Sequence, residues 1–367
     1  MHVPFCASTC DFCAFYQETP HRKELLKYLN ALEKEFTAFL GQDPVATAFW
    51  GGGTPGLLPA GDLERLGRAQ IRALGPPAVE WTVEMAPSTV RPDKLAVLKD
   101  LGVNRISLGV QSFQDTMLES LGRRQSARQA LKAYEMIRNA GFRNVNIDLI
   151  FSVPGQTMEL WFLDLERIAE LKPEHVSTYC LTFEEDTALY VKLSQGKIVQ
   201  DVEREADFYE ETWERLDAMG LKQYEVSNFA RPGMQCLHNL NTWRMHEWIG
   251  FGPSAASQHG GRRFSNEANL EKWMFGIDEA RPARMEDSEL SMGELALDSI
   301  VFGLRMNAGV DLAGLEGRFP GFDMASVEPF LQELVGQGLA VSEGRRYTLT
   351  LSGLMVVDRI GSELLCR

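Results

Sequence analysis

Apolar positions along this chain follow two alternating rhythms. Leu25, Leu29, Leu32, Phe36 and Phe39 recur at intervals of 4, 3, 4 and 3, the spacing of one helix face, and Gly41 stands where it would cap that helix. Short β-rich runs occupy 45–50, 79–84, 104–110, 144–150, 175–181 and 222–227. Between them, helical spacing covers 91–101, 127–140, 157–171 and 202–219. Strand and helix in alternation predict an α/β fold with a parallel sheet, either a barrel or a doubly wound sheet. In both forms ligands bind at the carboxyl ends of the strands. Chemistry-bearing residues collect there: Gly51–Pro55 after one strand, Glu84 ending the next, Gln111 after the third and Asp148 near the end of the fourth.

Beyond about residue 280 the rhythm changes. Helical patterns over 294–304 and 326–336 precede a hairpin of 339–342 and 346–349, and 353–365 reads as a last helix. Helix, hairpin and helix predict a small helical, winged-helix-like domain. Three segments are expected: 1–235 as the sheet domain, 236–285 as a connecting segment, and 286–367 as the C-terminal domain.

Composition narrows the classes. Hydrophobic residues make up 44% and charged residues 24%, as in ordinary globular domains. The formal charge of −14 repels phosphate backbones and no basic stripe is present, so nucleic acid is not expected as a partner. No apolar run approaches the roughly 20 residues of a membrane span and no signal-peptide pattern opens the chain, so a cytoplasmic protein is expected. The six cysteines are too few to scaffold 367 residues with disulfides.

Three of them, Cys6, Cys10 and Cys13, crowd into a C-x3-C-x2-C run. Thiolates select zinc or iron–sulfur sites. Structural zinc takes a fourth protein ligand, and Ala14 and Phe15 follow instead of a Cys or His. Three thiolates leave one iron of a cubane open for a small molecule. On spacing alone, a zinc site closed by a distant ligand and a simple cluster of buried thiols both stay open.

With Gly51-Gly52-Gly53-Thr54-Pro55 after the second strand, the cysteine run resembles the radical S-adenosylmethionine (SAM) superfamily over essentially the whole chain. That resemblance implies an incomplete (βα)6, TIM-like barrel. It also implies a [4Fe–4S] cluster on Cys6, Cys10 and Cys13, SAM on the open iron, and an electron donor that reduces the cluster. By the same resemblance Gly52, Gly53 and Thr54 meet the methionine part of SAM, Glu84, Gln111 and Arg123 hold its polar ends, and Asp148 accepts from the ribose hydroxyls. A guanidinium suits a carboxylate because its planar fork makes two parallel bonds. Phe12 is expected beside the adenine or as a shield for the cluster, roles that are compatible.

Further strings resemble one group within that superfamily, the coproporphyrinogen III oxidase-like proteins: His2-Val-Pro-Phe5, Leu121-Gly-Arg123, Ser152-Val-Pro-Gly-Gln-Thr157 and 224–233, Tyr-Glu-Val-Ser-Asn-Phe-Ala-Arg-Pro-Gly. Phe15 replaces the extra cysteine usual in the oxidase, and the oxidase's N-terminal extension is missing. Both features point to the heme-chaperone branch of the group. Cys236-Leu-His238-Asn-Leu-Asn-Thr242-Trp243 resembles that branch's His-Asn-x-x-Tyr-Trp segment, with Thr242 in place of Tyr. It implies heme on His238, with delivery to a client hemoprotein; a structural His bonded to backbone is the plainer alternative. Oxidative decarboxylation of coproporphyrinogen III is the main rival function. Methyl transfer to heme or heme ring opening, and a structural zinc protein, follow behind. Met1 stands within the first strand of relatives, so a shortened strand with an exposed sheet edge is expected, or a start assigned late. Gln125 replaces a His frequent in relatives.

Overall fold

The computed structural model describes residues 1–39 and 44–366. Eight strands form one sheet: β1 (His2–Val3), β2 (Thr47–Gly52), β3 (Glu80–Met85), β4 (Arg105–Gln111), β5 (Val145–Phe151), β6 (His175–Cys180), β7 (Lys222–Glu225) and β8 (Asn228–Ala230). Their order is β1-β2-β3-β4-β5-β6-β8-β7. The first six run parallel, and β8 and β7 add as an antiparallel hairpin. No strand pairing between β1 and β7 closes the sheet among the described residues, in keeping with an incomplete barrel.

The helices between the strands are α1 (Arg22–Ala38), α2 (Ala60–Leu74), α3 (Pro92–Leu101), α4 (Asp115–Ser120), α5 (Ala127–Asn139), α6 (Met158–Leu171), α7 (Ala188–Ser194) and α8 (Val202–Ala218). In α1, Leu25, Leu29, Leu32 and Phe36 are buried as their spacing predicted, each burial contributing about 1.5–3 kcal/mol. The expected cap at Gly41 lies outside the described residues. Helix starts follow local chemistry: Ser126 and Gln129 make a reciprocal capping box on α5, and Thr157 caps α6. The helix α2 was not among the expected elements.

The sheet has two faces of opposite character. Trp50, Trp81, Val83, Ile106, Leu108, Val145, Ile147, Leu149 and Val176 point into the main apolar core with the helices. The alternate positions carry Glu80, Thr82, Glu84, Arg105, Ser107, Asn146, Asp148, His175 and Ser177, and these line the inside of the curved sheet.

The segment expected to be a connector is structured. It holds α9 (Leu237–Trp243), α10 (Leu270–Asp278) and a three-stranded antiparallel sheet of β9 (Ala256–His259), β10 (Arg262–Asn266) and β11 (Arg284–Glu289). The edge of the short β1 is covered by that segment, contrary to expectation: His2 N–H donates to Phe251 O at 2.8 Å, and the His2 ring meets Pro253 O. Tyr28 O–H adds a bond to His2 O at 2.8 Å. The C-terminal part comprises α11 (Met292–Leu304), β12 (Val310–Asp311), α12 (Leu312–Arg318), α13 (Glu328–Gly336), β13 (Ala340–Glu343), β14 (Arg346–Leu349), α14 (Leu351–Met355) and α15 (Val357–Leu365). The expected hairpin gains β12 as a third strand, and the last helix breaks at Val356. Among the described residues no helix is long and apolar enough to cross a membrane.

Candidate functional site: the barrel mouth and floor

The cysteine run forms a loop at the carboxyl end of β1. Backbone bonds pin it on three sides: Cys6 N to Glu18 O at 3.0 Å, Asp11 N to Leu121 O at 3.1 Å, and Leu189 N to Asp11 O at 2.9 Å. Lys192 pairs with Asp11 at 2.7 Å. Cys6, Cys10 and Cys13 are free and half-buried. Burial pushes the Cys6 and Cys13 thiols up, so each needs a nearby cation to be held as thiolate. Arg123 supplies part of that field, its Nη1 lying 3.5 Å from Cys10 Sγ. The Phe15 side chain is 71% exposed, and the residue serves the site only through a backbone bond to the Cys13 thiol. Among the described residues no three Cys, His, Asp or Glu side chains gather closely enough to hold one metal ion. A four-iron cluster takes one thiolate per iron, and three thiols on one loop within reach of one another's charge, with Arg123 beside them, fit that donor set.

The glycines have a steric reason. A Cβ at Gly51 would lie 2.7 Å from Glu84 Oε2, and one at Gly53 would lie 2.7 Å from Val3 O. Gly52 has φ +98°, and its would-be side chain meets the His2 ring. Gly52 N donates to Glu84 Oε2 at 3.2 Å, and Thr54 Oγ1 lies 3.5 Å from Cys6 Sγ. Burial, with the Asp148 charge adding to it, pushes Glu84 up to about 8. Gln111 follows a bulge in β4 at φ 74°. Its side chain and that of Arg123 come together over Gly109, Arg123 Nη2 donating to Gly109 O at 2.8 Å. Gln125 explains its own presence: Nε2 donates to Gly109 O and Val110 O, both at 3.2 Å, closing off the end of β4. Phe12 packs against the small apolar cluster of Met117, Leu121, Ile150, Val153, Leu181 and Leu189. The mouth therefore gathers the cysteine loop, Gly52, Gly53, Thr54, Glu84, Gln111, Arg123, Asp148 and the Phe12 ring.

His238 does not join them. It sits on α9 beneath the opposite end of the barrel, its Nδ1 2.9 Å from Thr47 Oγ1 and its ring stacked on Phe49 at 5.3 Å. Phe49 lies between the two regions: a Cβ at Gly51 would stand 3.0 Å from its Cε1 and 2.7 Å from Glu84 Oε2, so one ring separates His238 from the Glu84 side of the mouth. Burial lowers His238 to about 4, so the imidazole is neutral near pH 7. Glu80 caps α9 from below, accepting Leu237 N at 3.0 Å, His238 N at 3.2 Å and Cys236 Sγ at 3.4 Å. At the other end Arg318 donates to Arg244 O at 2.6 Å and also to Met245 O. No residue of α9 is fully buried.

Sequence reasoning missed the lumen residues Glu80, Arg105, Asn146, His175 and Tyr224. Arg105 is buried with Nε and Nη1 lacking hydrogen-bond partners among the described residues, and its field comes from Cys236, Glu80, Tyr224 and Asp148. A signal was present in the polar residues recurring every second position along β3 to β6.

Comparison with known proteins agrees with this architecture. Residues 1–171 match the radical SAM superfamily and residues 290–356 match the HemN C-terminal domain. The solved structure of coproporphyrinogen III oxidase (HemN) from Escherichia coli, a radical SAM enzyme, superposes with a TM-score of 0.84 at 24% identity, covering 99% of this chain and 88% of that one. Fold and domain matches define a radical SAM protein, and that superfamily implies a [4Fe–4S] cluster and SAM. Heme chaperone HemW of Bacillus subtilis (strain 168) is 33% identical over 98% of this chain and 97% of its own length. HemW of Lactococcus lactis (strain IL1403) is 33% identical over 99% and 96%. The chain belongs to the HemW family.

Proposed function

We propose that this protein binds heme and passes it to client hemoproteins, and that it carries a SAM-liganded [4Fe–4S] cluster on Cys6, Cys10 and Cys13. The likeness to HemW heme chaperones over nearly the whole chain carries this reading. The cluster, when bound, supplies an open iron for the amino and carboxylate groups of SAM and accepts an electron from a donor. Around it, Arg123 and Gln111 orient a carboxylate over Gly109, and Asp148 receives ribose hydroxyls. Gly52 and Gly53 let the backbone approach the methionine part beside Thr54, and Glu84 faces its polar end. Phe12 walls the adenine side from water.

At the floor, His238 offers a neutral imidazole on a short helix held by side chains of Glu80 and Arg318 rather than by deep packing. Its Nδ1 bond to Thr47 leaves Nε2 as the nitrogen for an iron. A cytoplasmic setting suits six free cysteines. The likeness to the oxidase is one of fold alone, and no fourth thiol extends the cysteine run.

The test is anaerobic reconstitution followed by hemin titration and an assay with coproporphyrinogen III. A saturable heme spectrum, with the coproporphyrinogen unchanged, is expected. Decarboxylated product without hemin binding would replace the chaperone reading with the oxidase.

A further inference from the structure

The two ends of the barrel are joined by side chains through its interior. Asp148, at the mouth, accepts Asn146 Nδ2 at 2.7 Å on one oxygen and Ser107 Oγ at 3.2 Å on the other. Asn146 Oδ1 faces His175 Nδ1 at 2.6 Å, and His175 Nε2 faces Tyr224 O–H at 2.8 Å. Tyr224 oxygen in turn receives Cys236 N–H, the cap residue of α9, at 3.3 Å. Asn146, His175, Tyr224 and Cys236 are all buried.

With Asp148 as the terminal acceptor, the bonding pattern assigns a direction to each proton in this column. Asn146 gives its amide hydrogens to Asp148 and Ser107, so its oxygen is an acceptor and His175 Nδ1 is the donor. Burial, assisted by the Arg105 charge, drives His175 well below its ordinary pKa, so the ring is neutral and Nε2 accepts from Tyr224. Four bonds thus point one way, from the start of α9 up to the carboxyl of Asp148. Head-to-tail chains in a dry interior strengthen one another, and they weaken together when the terminal acceptor is shared.

We propose that occupancy of the mouth by SAM and capture of heme by α9 are coupled through the column Asp148–Asn146–His175–Tyr224–Cys236, with His175 and Tyr224 as its positioning residues. This rests on the reading of Asp148 and His238 given above. Ribose hydroxyls donating to Asp148 compete with Asn146 for the same oxygens. The loss of polarisation runs down the column to its longest link, Cys236 N–H to Tyr224 at 3.3 Å. The start of α9 loosens, and His238 leaves Thr47 and Phe49 more readily. SAM therefore tightens heme binding, and heme tightens SAM binding by the same factor.

The experiment is a hemin titration of the anaerobically reconstituted full chain, with and without saturating SAM. In the unaltered protein SAM lowers the hemin Kd by about fivefold or more, within the usual range of coupling. Tyr224→Phe, which keeps the ring and removes the linking hydroxyl, brings that ratio to about one while hemin and SAM each still bind. Tyr134→Phe, which removes a hydroxyl bonded to Leu171 O outside the column, keeps the full ratio. Hydrogen exchange of the α9 amides in the unaltered protein, faster when SAM is added, gives the same answer without any variant. A hemin Kd indifferent to SAM, or a ratio that survives Tyr224→Phe, overturns the coupling and leaves the chaperone reading intact. Absence of hemin binding under every condition overturns both.

Discussion

The mouth and the floor of this barrel are built from the same strands and solve opposite problems. At the mouth, glycines bring backbone and carboxyl groups close together, and Gln111 and Ser152 adopt positive φ. At the floor, Glu80, His175, Tyr224 and Cys236 bond chiefly to one another and to α9. The mouth is shaped for a partner that is not part of the chain. The floor is shaped around a piece of the chain itself. Where a protein satisfies its own polar groups, access by a second molecule requires something to move.

The comparison is broken most directly at the mouth. Cys10→Ala should take the cluster from about four irons and four sulfides per chain to nearly none while the fold stays intact, read by metal and sulfide analysis beside a thermal melt. An unchanged iron content would place the ligands elsewhere.

At the floor, Glu80→Gln should destabilise the protein by about 2 kcal/mol, because it removes the charge that caps α9 and faces the buried Arg105. Denaturant unfolding measures it, and a value near zero would mean that the floor is held by packing. His238→Ala should weaken hemin about tenfold, near 1.4 kcal/mol, and leave iron content untouched. Parallel loss of iron would contradict the separation of the two ends.

The smallest effect expected is none. A proton competes with iron for the His238 lone pair, so affinity falls only as pH drops through the folded pKa. With that value lowered to about 4, hemin affinity should stay level from about pH 7.5 to about pH 5. An imidazole at the ordinary 6.5 would lose roughly 30-fold by about pH 5. Such a loss in titrations across that range would show that His238 is exposed when heme binds.

The legibility of the two ends differed in the same way. All six strand candidates, the cysteine loop and the residues at the strand ends were readable, because period-2 apolar runs and short glycine or cysteine strings are local signals. The floor was not. Glu80 meets His238 across 158 positions and His175 meets Tyr224 across 49, and no local rule reports such pairings. The polar alternation of β3 to β6 was visible, yet each residue taken singly reads as a solvated strand face. The same limit hid the cover on β1, which comes from Phe251 and Pro253 and depends on the fold as a whole.

That cover has a consequence during synthesis. The strand that leads into the cysteine loop is clamped between β2 and residue 251, so its last support leaves the ribosome about 250 residues after the thiols do. At about 5–20 residues per second this is roughly 12–50 s. Throughout that interval the strand that feeds Cys6, Cys10 and Cys13 has only its β2 flank in place, although Leu121 and Leu189 reach the loop earlier. The cluster proposed on these thiols would thus be inserted late in the life of the nascent chain, and the thiols would depend until then on the reducing power of their surroundings.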